Sequence, residues 1–133
     1  MTKESKELAK YRLERAFQTL EEAKLLFDSG YTNTYVNRLY YACFYAVSAL
    51  LISQDKSTSK HGQLRAMLHK DYVKAGLLSK ESGRHFDLLF QSRQTGDYVD
   101  NAAFNPEEVK DWLEKTRRFV EEIQKFLSAN FEV

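Results

Sequence analysis

Proline occurs once in this 133-residue chain, glycine five times and cysteine once. So few backbone breakers exclude a fold of many short strands and tight turns. A lone Cys43 excludes a disulfide framework and a thiolate metal cluster. No HExxH, paired CxxC, GxSxG elbow or P-loop is present, so no metal and no cofactor is expected on motif grounds. The longest apolar stretch, Tyr35 to Ile52, is interrupted by Asn37 and Arg38 and carries four tyrosines, which makes it a poor membrane span. The N-terminal MTKESKELAK has no signal-like apolar region, and a soluble, cytoplasmic protein with no membrane association is expected. A formal charge of +1 argues against a duplex-DNA surface held by many phosphate contacts.

What the chain does have is apolar residues recurring at three and four rather than two, the mark of helices. Leu13, Ala16, Phe17, Leu20, Ala23 and Phe27 form one stripe of a first helix from about Lys3 to Asp28, with Gly30 placed to stop it. A second helix, about Thr32 to Gln54, is apolar nearly all round and should be central. A third begins near Ser59 or Lys60 and ends by Gly76. A fourth starts at Ser79 or Lys80 and should end at Gly96. The last has Asn105 as N-cap, Pro106 in its first turn, then Glu107 and Glu108. These elements predict an all-α fold, an up-and-down antiparallel bundle of about five helices in a single domain spanning residues 1–133.

Charge is unevenly spread. From Lys56 to Arg93 eight Lys or Arg face three acidic residues, and all three histidines fall there; from Gln94 onward nine acidic residues face five basic ones. Solvated helix faces account for this as well as a local anion site does.

Two segments stand out, the second helix with its embedded polar residues and the run SRQTGDY ending at Tyr98. On the second helix Asn37, Tyr41, Phe44 and Ser48 share a face, and Arg38 lies one turn from Tyr41. Arg93 continues the stripe of Phe86, Leu89 and Phe90, so its stem packs inward while its guanidinium seeks a partner. Losing the partner of a buried charge costs about 3–5 kcal/mol. An i,i+4 pair of Arg93 with Asp97, or a structural tie through Arg38, meets that need as well as a ligand would. His61 follows a loop, where it could cap, bind an anion or titrate. His69 and His85, flanked by Lys70 and Arg84, read as exposed positions in a basic stretch.

The order NRLYYACFYAVSALL, KHG at Lys60 to Gly62, YVKAGLLSK and RQTGDY resembles the small prokaryotic HEPN-domain proteins, over most of the chain. That resemblance implies a helical bundle that dimerises with the arginine motifs of two subunits in one cleft. Many such proteins are metal-independent ribonucleases with an RxxxxH motif, encoded as toxins beside a minimal nucleotidyltransferase partner. Arg93 matches the motif arginine, and Tyr98 stands at the histidine position. Tyrosine, with a reference pKa of about 10, is a weak substitute for histidine in proton transfer. The resemblance therefore implies catalytic roles for Arg93 and Tyr98; His61 is expected to supply the proton transfer if the fold brings it near Arg93, and the inward-facing polar residues Arg38, Asn37, Tyr41 and Asp97 are expected to bind RNA or nucleotide. The resemblance equally admits a non-catalytic nucleotide-binding or protein-docking module, in which the partner adenylylates Tyr98.

Overall fold

The structure, a computed structural model, describes residues 1–98 and 103–133, except for the side chains of residues 94–98. It is an all-α bundle. Helix α1 spans Lys3–Asp28, with Thr2 as N-cap accepting the Ser5 N–H at 3.0 Å. It ends where Gly30 takes a φ of +86°, and the Tyr31 N–H reaches back to the Leu26 carbonyl at 2.8 Å. Helix α2, Thr32–Ser53, lies in the middle, packed against α1 and three later helices. Ala9, Ala16 and Ala23 of α1 and Ala42, Ala46 and Ala49 of α2 are all fully buried. Small side chains there let neighbouring backbones come close, while Leu20, Leu39, Leu50 and Phe119 fill the wider layers.

Helix α3 covers His61–Leu68 and runs into a π-helical turn, His69–Val73, before stopping at Gly76 with φ +79°. The expected uninterrupted helix is thus widened by one residue. The widened turn accompanies burial of Tyr72, whose hydroxyl donates to Gln54 Oε1 at 2.7 Å. Helix α4, Lys80–Tyr98, corrects the expectation that Gly96 ends it: the helix continues through Gly96. A single glycine costs a helix only about 1 kcal/mol, too little to stop one held by packing. Asn105 caps α5, Pro106–Val109, through the Glu107 N–H at 2.9 Å, as expected. After a break at Lys110 and Asp111, α6 runs over Trp112–Phe131. The break sits on Tyr35 of α2, whose hydroxyl donates to the Val109 carbonyl at 2.7 Å and accepts the Leu113 N–H at 3.1 Å. Among the described residues no helix is long and apolar enough to cross a membrane.

Candidate functional site

One strip along the middle of α2 stays half-buried while the residues between its members are buried: Asn37, Arg38, Tyr41, Phe44, Tyr45 and Ser48. Helices α1 and α4 flank this strip with arginines, and α3 brings His61 to it. From α4, the Arg93 guanidinium lies 5.3 Å from the centre of the Tyr40 ring and 5.7 Å from that of Tyr41. From α1, Glu22 binds Arg15 at 3.1 Å and approaches Arg38 at 3.9 Å. Arg38 also donates to Asn37 Oδ1 at 3.0 Å and stacks over Tyr41 at 5.0 Å. Arg38 thus does bridge to α1, as the structural alternative required, yet remains part of the half-buried strip.

His61 enters from the start of α3. Its Nδ1 lies 2.7 Å from the Tyr40 hydroxyl, and its ring is 4.7 Å from the Phe44 ring. Burial, and then the positive charge of Arg93, hold its pKa below the ordinary value of 6.5. The Tyr40 phenol is pushed far above its usual range, chiefly by burial, so it keeps its proton. The site is therefore a neutral imidazole and a neutral phenol beside a fixed cation. That set can hold an anion, and the imidazole can take up a proton as an imidazolium and return it.

Of the residues singled out in the sequence, Asn37, Arg38, Tyr41, His61 and Arg93 gather along this strip. The side chains of Asp97 and Tyr98 lie outside the described residues. Tyr40, which joins His61 to Arg93, is a site residue that sequence reasoning misses. Its signal is only the doubled tyrosine of α2, because both of its partners are far along the chain.

The two remaining histidines correct the reading of them as exposed. His85 is 8% exposed and its Nε2 lies 2.9 Å from Thr116 Oγ1. His69, half-buried, lies 2.8 Å from Asp87 Oδ1, which also accepts from Arg65 at 2.7 Å. Burial raises the Asp87 pKa, but the Arg65 and His69 hydrogen bonds outweigh it and leave the carboxylate below its usual range. A hollow of about 340 Å³ between α4 and α6 is lined by Arg84, His85, Lys115 and Glu122, away from Arg93. No group of three or more His, Cys, Asp or Glu side chains converges to hold a metal among the described residues.

A family model described as the HEPN domain matches residues 9–126. A UPF0332 protein of Thermotoga maritima is 40% identical, over 93% of this chain and 94% of its own length. Two Methanocaldococcus jannaschii proteins, named "Putative toxin MJ0142" and "Putative toxin MJ0605", are 31% and 28% identical, over 86% and 96% of this chain and 78% and 94% of their own lengths.

Proposed function

This chain belongs to the HEPN family, and from that premise we propose that it is a toxin-type protein that binds RNA on the α2 strip and cleaves it without metal. One observation carries the reading: Tyr40 holds His61 by a 2.7 Å hydrogen bond while its ring lies beneath the Arg93 guanidinium. The toxin names of two relatives agree with it.

Metal-free RNA cleavage needs a base for the 2′-hydroxyl proton, an acid for the leaving 5′-oxygen, and a cation for the charge that builds on phosphorus-bound oxygens. Arg93 supplies the cation. His61 supplies the base through Nε2 when its Nδ1–H donates to the Tyr40 oxygen. Taking the 2′-hydroxyl proton at Nε2 makes the ring an imidazolium, and returning that proton from Nε2 to the leaving 5′-oxygen restores the neutral ring, with Nδ1–H on the Tyr40 oxygen throughout. The lowered pKa of His61 keeps the ring neutral near pH 7 before the step and makes the imidazolium a ready donor. Tyr41 and Phe44 offer ring faces on which bases stack, and Arg38 a contact for backbone phosphate.

The same proposal includes a cytoplasmic homodimer with two Arg93 sites facing one cleft, and a minimal nucleotidyltransferase as the partner that restrains it. Tyr98 at the motif position supports a second reading, a binding module without catalysis whose tyrosine accepts an adenylyl group. Cleavage of a mixed RNA in EDTA separates the two. Wild-type protein should cut, while Arg93→Ala and His61→Asn should each be slower by about 10²- to 10⁴-fold with unchanged helical circular dichroism. Equal behaviour of wild type and Arg93→Ala would overturn the nuclease assignment.

A further inference from the structure

We infer that Arg12 anchors a second phosphate subsite, next to the Arg93–His61 site on the side facing the α2–α3 loop; this rests on the RNA reading above. Arg12 is on α1, half-buried, and its Nε is buried with no hydrogen-bond partner among the described residues. Buried donors are nearly always paired, so an orphaned guanidinium nitrogen asks what ordinarily fills it. Three other arginines of the bundle each have a carboxylate: Arg15 and Arg38 share Glu22, and Arg65 has Asp87.

Arg12 lines a hollow of about 150 Å³ with Phe44 and Ser48 of α2 and Ser57, Thr58 and Ser59 of the following loop. A cation beside hydroxyls, with no acidic side chain in the lining, is the chemistry of a phosphate site. Thr58 is already committed, donating to Gln63 Oε1 at 2.6 Å and accepting the Lys60 N–H at 3.1 Å, so it shapes the loop. The Ser57 and Ser59 hydroxyls make no hydrogen bond among the described residues.

Phe44 connects the two places. It forms a wall of the Arg12 hollow and lies 4.7 Å from the His61 ring. A single strand with one phosphate at Arg93 and another at Arg12 would lay a base against this aromatic wall, with its backbone following the α1–α2 seam. The hollow thereby gives the strand a direction, away from the reacting phosphate and toward the serine loop.

The test uses the full chain and three probes: inorganic phosphate, 5′-AMP, and a 2′-O-methyl oligouridylate that cannot be cleaved. Arg12→Met should bind the oligomer about tenfold more weakly and lower the slope of log K against log salt by about 0.7, the change that removing one phosphate–arginine pairing from a single strand produces. It should leave 5′-AMP binding and the helical signal unchanged, whereas Arg93→Met weakens both ligands. Unchanged oligomer affinity and slope in Arg12→Met, with binding abolished in Arg93→Met, would overturn the subsite and leave the RNA reading standing. Equal weakening of 5′-AMP and oligomer by Arg12→Met would also overturn it, since the hollow would then hold the mononucleotide's own phosphate. If wild type fails to bind the oligomer, the RNA reading falls. Nitrogen-15 detection of the Arg12 Nε–H during phosphate titration then decides the site: a saturable shift retains a phosphate site, and no shift removes it.

Discussion

At the scale of the residue, His85 illustrates how a buried base responds to solvent. The Thr116 hydroxyl spends its proton on the Trp112 carbonyl at 2.7 Å, so it can only accept from His85 Nε2–H. The imidazole is thereby fixed as one neutral tautomer. Burial, and then the charge of Lys115, lower its pKa from 6.5 to about 4, with Asp111 pulling weakly the other way. The unfolded chain binds this proton more readily than the folded one. The His85 contribution is complete above pH 6.5, declines as the pH falls, and is fully lost below about 4. The loss amounts to roughly 3 kcal/mol. Urea unfolding at a series of pH values should show it, and His85→Gln, which keeps a donor for Thr116 without titrating, should flatten that part of the profile. An unaltered slope in the variant would remove His85 as its source. None of this was legible in the local sequence. Lys70 and Arg84 advertise solvent, whereas the partners that draw His69 and His85 inward, Asp87 and Thr116, are 18 and 31 residues away.

Among the elements, two irregularities carry specific costs. The first is where the π-helical turn meets α4 at Gly83. A methyl group at Gly83 would lie 3.1 Å from His69 Cε1 and 3.2 Å from Val73 Cγ1. His69 is held by Asp87 and Val73 is stiff at χ1, so neither yields easily. Crowding in Gly83→Ala should therefore outweigh the about 1 kcal/mol gained in helix propensity, with a lower denaturation midpoint as the outcome. A rise in midpoint would show that the turn relaxes. The second is the break between α5 and α6, closed by one hydroxyl. Tyr35→Phe leaves the Val109 carbonyl and the Leu113 N–H short of a partner and should cost about 1–3 kcal/mol in urea unfolding. The order of the helices and most of their ends were readable from apolar spacing, Gly30 and the Asn105–Pro106 cap. The widened turn, the break and the passage through Gly96 were not, because tertiary partners outweigh propensity at each of them.

For the whole molecule, the decisive arrangement is that α2 supplies both the centre of the core and the strip bearing the candidate site. Val36, Leu39, Val47 and Leu50 point into the bundle, while Arg38, Tyr41 and Phe44 lie on the half-buried side. The prominence of that strip could be seen in the sequence as arginine and asparagine inside an apolar helix. Its assembly with His61 could not, since that depends on how α3 returns to α2. Unfolding should consequently be one cooperative transition, with far-ultraviolet dichroism and tryptophan fluorescence of Trp112 coinciding. Separate transitions would mean that α6 melts independently. Cys43 adds something of practical value. It is the chain's single thiol, lies fully enclosed in α2, and burial raises its pKa well above the ordinary thiol value. A disulfide reagent can reach that sulfur only when the bundle opens, so the protein carries its own unlabelled clock: the rate of thiol modification in native buffer counts the openings of its innermost helix.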